Sequence, residues 1–219
     1  MQYRRTYIQG SSYFFTLITE QIRKLFIDET NVDLLRQAFS HVMKKRPFAI
    51  DAIVVLPEHL HCIWTLPPFD VDFSTRWRLI KTWFTKHCDN KYKVTPNLSR
   101  IKKNEQAIWQ HRYWEHLLRD ELDFEHHINY IHYNPVKHDY VNKPSDWKYS
   151  SFHRYVEQGT IPINWGASEI SFPDGIGNEC WGMSGNVGEC RVTFFCGAKK
   201  ANPTYYIAWL IELKKITDN

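Results

Sequence analysis

Residues 54–64 read Val-Val-Leu-Pro-Glu-His-Leu-His-Cys-Ile-Trp, an apolar β-prone run broken by one turn-like dipeptide and two histidines. Such a run belongs in a sheet, where successive residues point to opposite faces. His59 and His61 therefore share one face and Leu60 takes the other. A sheet that buries this run must bury two imidazoles side by side. Neutral imidazoles are poor core packing and good ligands for divalent metals. A lone His-x-His also suits a wet strand face, so the rest of the chain decides what the pair is for.

The same periodicity predicts strands over 13–18, 48–56 and 59–66, the last two joined as a hairpin at Pro57-Glu58. A helix capped by Thr30 or Asn31 runs to about Lys45, with Leu35, Ala38, Phe39 and Val42 on one face, and ends before Pro47. Ser74 caps a second helix that carries Leu79, Ile80, Trp83, Phe84 and His87 at helical spacing. Residues 89–105 form a polar, basic loop, and a short strand lies around Tyr113–Leu118. A third helix runs from Asp123 to Tyr133 and stops at Asn134-Pro135, because a residue before proline is pushed out of the helical region. The order β-α-β-β-α-β-α fits an α+β sandwich on the ferredoxin-like plan, an antiparallel sheet with helices packed on one face. After a short arm to about Trp165 the character changes. Residues 1–165 are read as one domain and 166–219 as a tail, loosely ordered where glycines cluster, with a terminal helix over Tyr205–Ile216.

A chain of 219 residues with 43% hydrophobic content can build one core. No apolar stretch approaches the ~18 residues that a membrane span needs, and Met1–Arg5 leads into no apolar signal core, so a cytoplasmic location is expected. The five cysteines are odd in number and include no Cys-x-x-Cys pair, which favours free thiols. The net charge of +4 is unevenly spread, since Ser74–Lys103 holds nine basic residues against the single acid Asp89. Trp77, Trp83, Phe84 and Tyr92 are interleaved with them. A local field of that sign suits a phosphate backbone, and Arg76, Arg78 and Lys81 supply its helical part.

On the third helix Phe124, Ile128 and Ile131 form an apolar stripe. Tyr130 and Asn134, four residues apart, stand one turn above each other on a neighbouring face. Tyr113 and Tyr133 are also nearby, but only Tyr130 pairs with Asn134 at that spacing. Two histidines and one amide oxygen make a three-ligand set with open positions for a hard divalent cation, Mg²⁺ or Mn²⁺. Such a site holds a phosphate for attack by Tyr130. A phenol with a pKa of ~10 is protonated at neutral pH, so the cation or a local base must assist.

Four segments then occur in order: Pro57-Glu58-His59-Leu60-His61-Cys62-Ile63-Trp64, Trp114-Glu115-His116, Tyr130-Ile131-His132-Tyr133-Asn134-Pro135-Val136-Lys137-His138 and Trp147-Lys148-Tyr149-Ser150-Ser151-Phe152. Over about residues 3–175 they closely resemble the REP-associated tyrosine transposases, which are His-hydrophobic-His (HUH) single-strand transposases with one catalytic tyrosine. The resemblance implies a fold of the HUH nuclease type. It implies that His59 and His61 are the metal-binding pair and that Asn134 is the third ligand, where insertion-sequence relatives carry Gln. Tyr130 matches the nucleophile that forms a 5′-phosphotyrosine link and frees a 3′-hydroxyl. The implied partner is single-stranded or hairpin DNA from repetitive extragenic palindromes (REP elements), with a guide tetranucleotide at the hairpin foot. The implied protein is a monomer associated with the nucleoid, and Arg4, Arg5 and Trp147 join Arg76, Arg78 and Lys81 as expected DNA contacts. The alternatives are a non-cleaving palindrome-binding regulator and a nuclease that uses water. A binder has no need of His59, His61, Tyr130 and Asn134 together.

Overall fold

The computed structural model describes residues 6–96, 98–102, 106–168, 170–173 and 176. Its elements run β1 (Ser12–Ile18), α1 (Glu29–Met43), β2 (Ala49–Val55), β3 (His59–Thr65), α2 (Phe73–His87), α3 (Leu98–Lys102), β4 (Trp114–Leu117), α4 (Glu121–Lys137) and α5 (Phe152–Glu157). The strands form one antiparallel sheet in the order β2-β3-β1-β4, so the chain has the expected α+β, ferredoxin-like plan. Expected features on Arg4, Arg5 and residues 177–219, including Cys180, Cys190, Cys196 and a terminal helix, lie outside the described residues.

Helix boundaries differ from the sequence expectation for local reasons. Asp28, not Thr30 or Asn31, caps α1, its carboxylate accepting from the Thr30 N–H at 3.0 Å. Asn31 is buried and donates to the Leu25 carbonyl instead. Asp72 caps α2 by accepting from the Thr75 N–H at 2.9 Å, which leaves Ser74 inside the first turn. The expected stop at Asn134 is overturned, because α4 continues through Pro135 to Lys137. A proline this close to the end forfeits one backbone bond, and the burial of Tyr133, Asn134 and Pro135 favours keeping the last turn helical. The loop expected over 89–105 contains the short α3.

The two sheet faces do different work. One carries Tyr13, Phe15, Leu17, Leu60, Cys62 and Trp64 against the buried sides of α1 and α2, with Trp64 stacked on Trp77 at 3.9 Å. The other carries Phe14, Ala52, Val54 and Ile63 against Ile128, Tyr130 and Ile131 of α4. Helices α1 and α2 thus share one face as expected, and α4 covers the opposite one. On that second face the pairing places Thr16 beside His61 and Trp114, Phe14 beside Ile63 and His116, and Ile18 beside His59.

The arm after α4 closes the β2 edge. Val54 and Ser150 form a bridge, the Val55 N–H donates to the Tyr149 carbonyl at 2.9 Å, and the Ser151 N–H donates to the Ile53 carbonyl at 2.8 Å. Covering the edge removes a template for pairing with another chain. The Tyr155 hydroxyl and the Arg154 guanidinium both donate to the Asp51 carbonyl. The Asp51 side chain accepts from the Thr65 hydroxyl at 2.7 Å, and burial pushes its carboxyl up to about 6. A folded-state pKa above the unfolded value of ~3.9 favours folding below that value and loses the contribution as pH rises through 6. Asp51→Asn should therefore unfold at higher urea than the parent at pH 8, by about 2 kcal/mol, with the gap closed by pH 4. Urea melts at the two pH values measure this.

Candidate active site

His59 and His61 stand on neighbouring pleats of β3, fully buried beneath α4. Their Nε2 atoms are 3.1 Å apart. Each outer nitrogen has its own partner. His59 Nδ1 lies 3.0 Å from the Glu58 carboxylate, and His61 Nδ1 lies 2.9 Å from the Thr16 hydroxyl. An ionised carboxylate only accepts, so it fixes the proton of His59 on Nδ1 and leaves Nε2 as a bare lone pair. When Thr16 accepts from His61 Nδ1, the second Nε2 is bare as well. Two Nε2 acceptors turned toward one another at this separation can both face a single cation. Burial holds the His61 imidazole well below the usual histidine range, with His59, His138 and Lys137 adding to the effect. Neutral imidazole is the form that binds metal.

A second row of residues holds Glu58. Burial alone raises its carboxyl, but hydrogen bonds from His59 and Tyr140 outweigh this and keep it below the usual range. The Tyr140 hydroxyl donates to it at 2.8 Å, and Trp147 packs on the Tyr140 ring at 5.6 Å while its indole N–H donates to the Val55 carbonyl. Such outer partners fix the tautomer and orientation of a ligating histidine.

Helix α4 brings the remaining groups over the pair. Tyr130 packs edge-on to His61 with ring centroids 5.4 Å apart, and His138, two turns on, packs on His59 at 5.2 Å. Asn134 lies between them on the same stripe of the helix. It is fully buried, and neither Oδ1 nor Nδ2 has a hydrogen-bond partner among the described residues. An unsatisfied buried amide costs about 1–3 kcal/mol, so its survival calls for a ligand. The Tyr130 hydroxyl accepts from Lys137 Nζ at 3.2 Å, and the ammonium lies 4.5 Å from the ring centroid. Only 2% of Tyr130 is exposed, with Phe172 against its ring at 5.7 Å.

Two turns before Tyr130, α4 is latched to β4. Asp123 accepts from His116 Nε2 at 2.9 Å and meets His127 Nδ1 at 3.0 Å, and the Arg119 N–H donates to it at 3.1 Å. Burial raises the Asp123 carboxyl, but the two imidazoles overturn this and drive it well below the usual range. The three ligand atoms lie within 4.8 Å of one another, so this His-Asp-His group could hold a metal ion. Its hydrogen bonding marks it first as a latch, since His127 Nδ1 also sits 2.7 Å from the Asp123 carbonyl, a contact made by an N–H.

The fold thus sets Tyr130 against the His59–His61 pair with Asn134 one turn further along the same helix, while the other residues singled out lie elsewhere. Arg76 is 1% exposed, and its guanidinium donates to Asp70 and to the carbonyls of Arg46, Pro47 and Asp72. It is a structural tie, and the expected DNA contact at this position is withdrawn. Arg78 is exposed and Lys81 donates to the Gln110 carbonyl, both on the helix behind the sheet. Trp147 supports Glu58 through Tyr140. Sequence reasoning missed Glu58, Thr16, Lys137, Tyr140 and the Asp123 latch. Of these, Glu58 and Lys137 lie inside the quoted motifs, and the i, i+4 spacing of Asp123 and His127 was a readable signal.

A strand-borne histidine pair under a helix that carries a tyrosine, on this sheet, defines the HUH class of nuclease fold. No family model matches the chain. It is 45% identical over 174 residues to the REP-associated tyrosine transposase of Escherichia coli (strain K12), covering 80% of this chain and 96% of that protein. It is 39% identical over 166 residues to a putative REP-associated tyrosine transposase of Haemophilus influenzae, covering 76% and 93%. A solved structure of the REP-associated tyrosine transposase bound to a REP hairpin aligns with a TM-score of 0.66 at 44% identity, covering 80% of this chain and 98% of that one. The chain belongs to the REP-associated tyrosine transposases, enzymes of DNA strand transfer.

Asp123→Asn keeps the size of the latch and removes its charge. The variant should lose about 2 kcal/mol of stability at pH 7. The native carboxyl is depressed, so this difference should narrow as pH falls below the unfolded value of ~3.9. Urea midpoints at pH 7 and pH 3 test both statements.

Proposed function

We propose that this protein cuts and rejoins single strands of REP hairpin DNA through a 5′-phosphotyrosine on Tyr130, with a divalent cation bound by His59, His61 and Asn134. The observation that supports the cation is the buried Asn134 amide, without a hydrogen-bond partner among the described residues, one helical turn from the Tyr130 that packs on His61. Mg²⁺ or Mn²⁺ is the cation that the family resemblance implies; phosphate oxygens and water would fill its open positions, and the imidazole nitrogens favour Mn²⁺ over Mg²⁺. When bound, the cation supplies Lewis-acid polarisation of a phosphoryl oxygen and offsets charge that develops there.

The chain's own residues do the rest. Lys137, within hydrogen-bond distance of the Tyr130 hydroxyl, favours the phenolate and so strengthens the nucleophile. Attack forms the tyrosine O–P bond and breaks the bond to the 3′ oxygen, which leaves and takes up a proton. The reverse reaction, by a 3′-hydroxyl on the phosphotyrosine, rejoins a strand. The Asp123 latch and the apolar stripe of α4 hold Tyr130 against its own chain's histidines, which supports a monomer as the active species. The palindromic substrate is suggested by the relative whose structure is titled as bound to a REP hairpin. No helix among the described residues is long and apolar enough to cross a membrane, and a DNA substrate points to the nucleoid of the cytoplasm.

End-labelled REP hairpin DNA with a single-stranded flank, run on a denaturing gel with Mg²⁺, Mn²⁺ or EDTA, tests the reading. A metal-dependent covalent band is expected from the parent, and its loss in Tyr130→Phe with hairpin binding retained. Shifted but uncut DNA under every metal would favour the non-cleaving regulator. Asn134→Ala removes an unsatisfied amide, so its metal-free melting temperature should match or exceed the parent's. The rise in melting temperature on adding Mn²⁺ should shrink in the same variant, as scanning fluorimetry would show.

A further inference from the structure

We propose that His116, Asp123 and His127 form a Zn²⁺ site, separate from the His59–His61 pair. The inference does not depend on the strand-cleaving reading above.

The three residues come from two packed elements. His116 sits on β4, whose pairing with β1 sets it opposite Phe14. Asp123 and His127 are four apart on α4, so they share one face of the helix. The histidine pair lies two strands away, because β1 runs between β3 and β4. That is roughly 10 Å at the usual strand spacing. The Phe14 ring fills the interval, 5.5 Å from the His61 ring and 4.8 Å from the His127 ring. One cation cannot serve both groups.

The distances fit a four-coordinate ion. Zn²⁺ binds imidazole nitrogen and carboxylate oxygen at ~2.0–2.2 Å, so its ligand atoms stand ~3.3 Å apart at the corners of a tetrahedron. Asp123 Oδ1 is 3.2 Å from His116 Nε2 and 3.0 Å from His127 Nδ1. The ligand atoms of all three residues lie within 4.8 Å of one another, so small side-chain rotations complete the third edge. Asp123 Oδ2 keeps its bond from the Arg119 N–H at 3.1 Å, an outer partner of the kind that orients a ligating carboxylate. Each imidazole moves its proton to its other ring nitrogen, and its contact with Asp123 passes from hydrogen bond to coordination. His127 Nδ1 also gives up the Asp123 carbonyl, which the helix ladder already satisfies.

The surroundings draw a cation and admit one. The His116 and Asp123 side chains are 21% and 18% exposed while His127 is buried, so solvent reaches one side and water can take the fourth position. Residues 120–127 hold Asp120, Glu121, Asp123 and Glu125 and no Lys or Arg. A segment of that sign repels phosphate and attracts cations. Two imidazoles with one carboxylate favour Zn²⁺ over the harder Mg²⁺ and Ca²⁺. The bound ion ties β4 to the start of α4, and so braces the helix that carries Tyr130 two turns on.

Metal-stripped protein titrated with Co²⁺, a coloured stand-in for Zn²⁺, tests this. The His61→Ala variant, which breaks the pair on β3, should take up one equivalent and show the strong visible absorption of four-coordinate Co²⁺. One equivalent of Zn²⁺ should abolish that absorption. Adding His116→Gln, which still donates to Asp123 but offers no imidazole, should weaken binding by more than the ~10–100-fold that follows loss of an outer partner. In the parent, Zn²⁺ should slow amide exchange over 114–117 and 121–127, and this slowing should be absent from the single His116→Gln variant, whose folding a circular-dichroism melt checks. No Zn²⁺-displaceable absorption in His61→Ala, absorption undiminished by His116→Gln, or protection that survives His116→Gln would overturn the site. Should His61→Ala not fold, stoichiometry decides: the parent should bind one more equivalent of Zn²⁺ than His116→Gln, and equal uptake would overturn the site. Failure to form a Tyr130 adduct with DNA would overturn the strand-cleaving reading and leave this site standing.

Discussion

His59 Nε2 and His61 Nε2 lie 3.1 Å apart on a sheet face sealed by a helix, and the surrounding structure is arranged around that contact. Burial holds the His61 imidazole well below the usual histidine range, Glu58 and Thr16 meet the outer nitrogens, and the two Nε2 atoms face one another. An apolar core would expel such a pair. Here it is kept, with the buried Asn134 amide on the covering helix lacking a hydrogen-bond partner among the described residues, and the supporting chain runs outward through Glu58 and Tyr140 to Trp147.

The sheet separates two tasks. Behind it, α1 and α2 pack Trp64, Trp77, Phe15 and Phe39 into a dense aromatic core. In front of it, α4 presents Asp123, His127, Tyr130 and Asn134 along one stripe, spaced by four, three and four residues. The first two latch the helix to β4 and the last two stand over the histidines. Because latch and nucleophile share one helix, the position of Tyr130 follows from contacts made up to two turns away. Basic charge follows a different logic, as Arg76 shows. Its guanidinium lies against the Phe48 ring and satisfies the Asp72 carbonyl at the start of α2 and the Arg46 and Pro47 carbonyls ahead of β2.

Much of this was legible in the residues themselves. Strand alternation put both histidines on one face, and helical spacing put Tyr130 and Asn134 on one side, because both periods are properties of the local backbone. The motif order pointed to the family. Capping was less legible: Asp28 and Asp72, each two residues ahead of Thr30 and Ser74, start α1 and α2 by accepting from the Thr30 and Thr75 N–H groups. Pro135 was read as a helix stop, yet the burial of its neighbours outweighed one missing hydrogen bond.

The sequence by itself determined which residues carry the chemistry and which side of each element they occupy, since those depend on periods of two and 3.6 residues. Tertiary structure alone decided what each group meets. It set Lys137 against the Tyr130 hydroxyl and Asp123 between two histidines. It turned Arg76 inward and left the Asn134 amide without a hydrogen-bond partner among the described residues. These outcomes depend on strand register and on the docking of α4 across the sheet, which bring together residues far apart in the chain, and no local pattern encodes that distance.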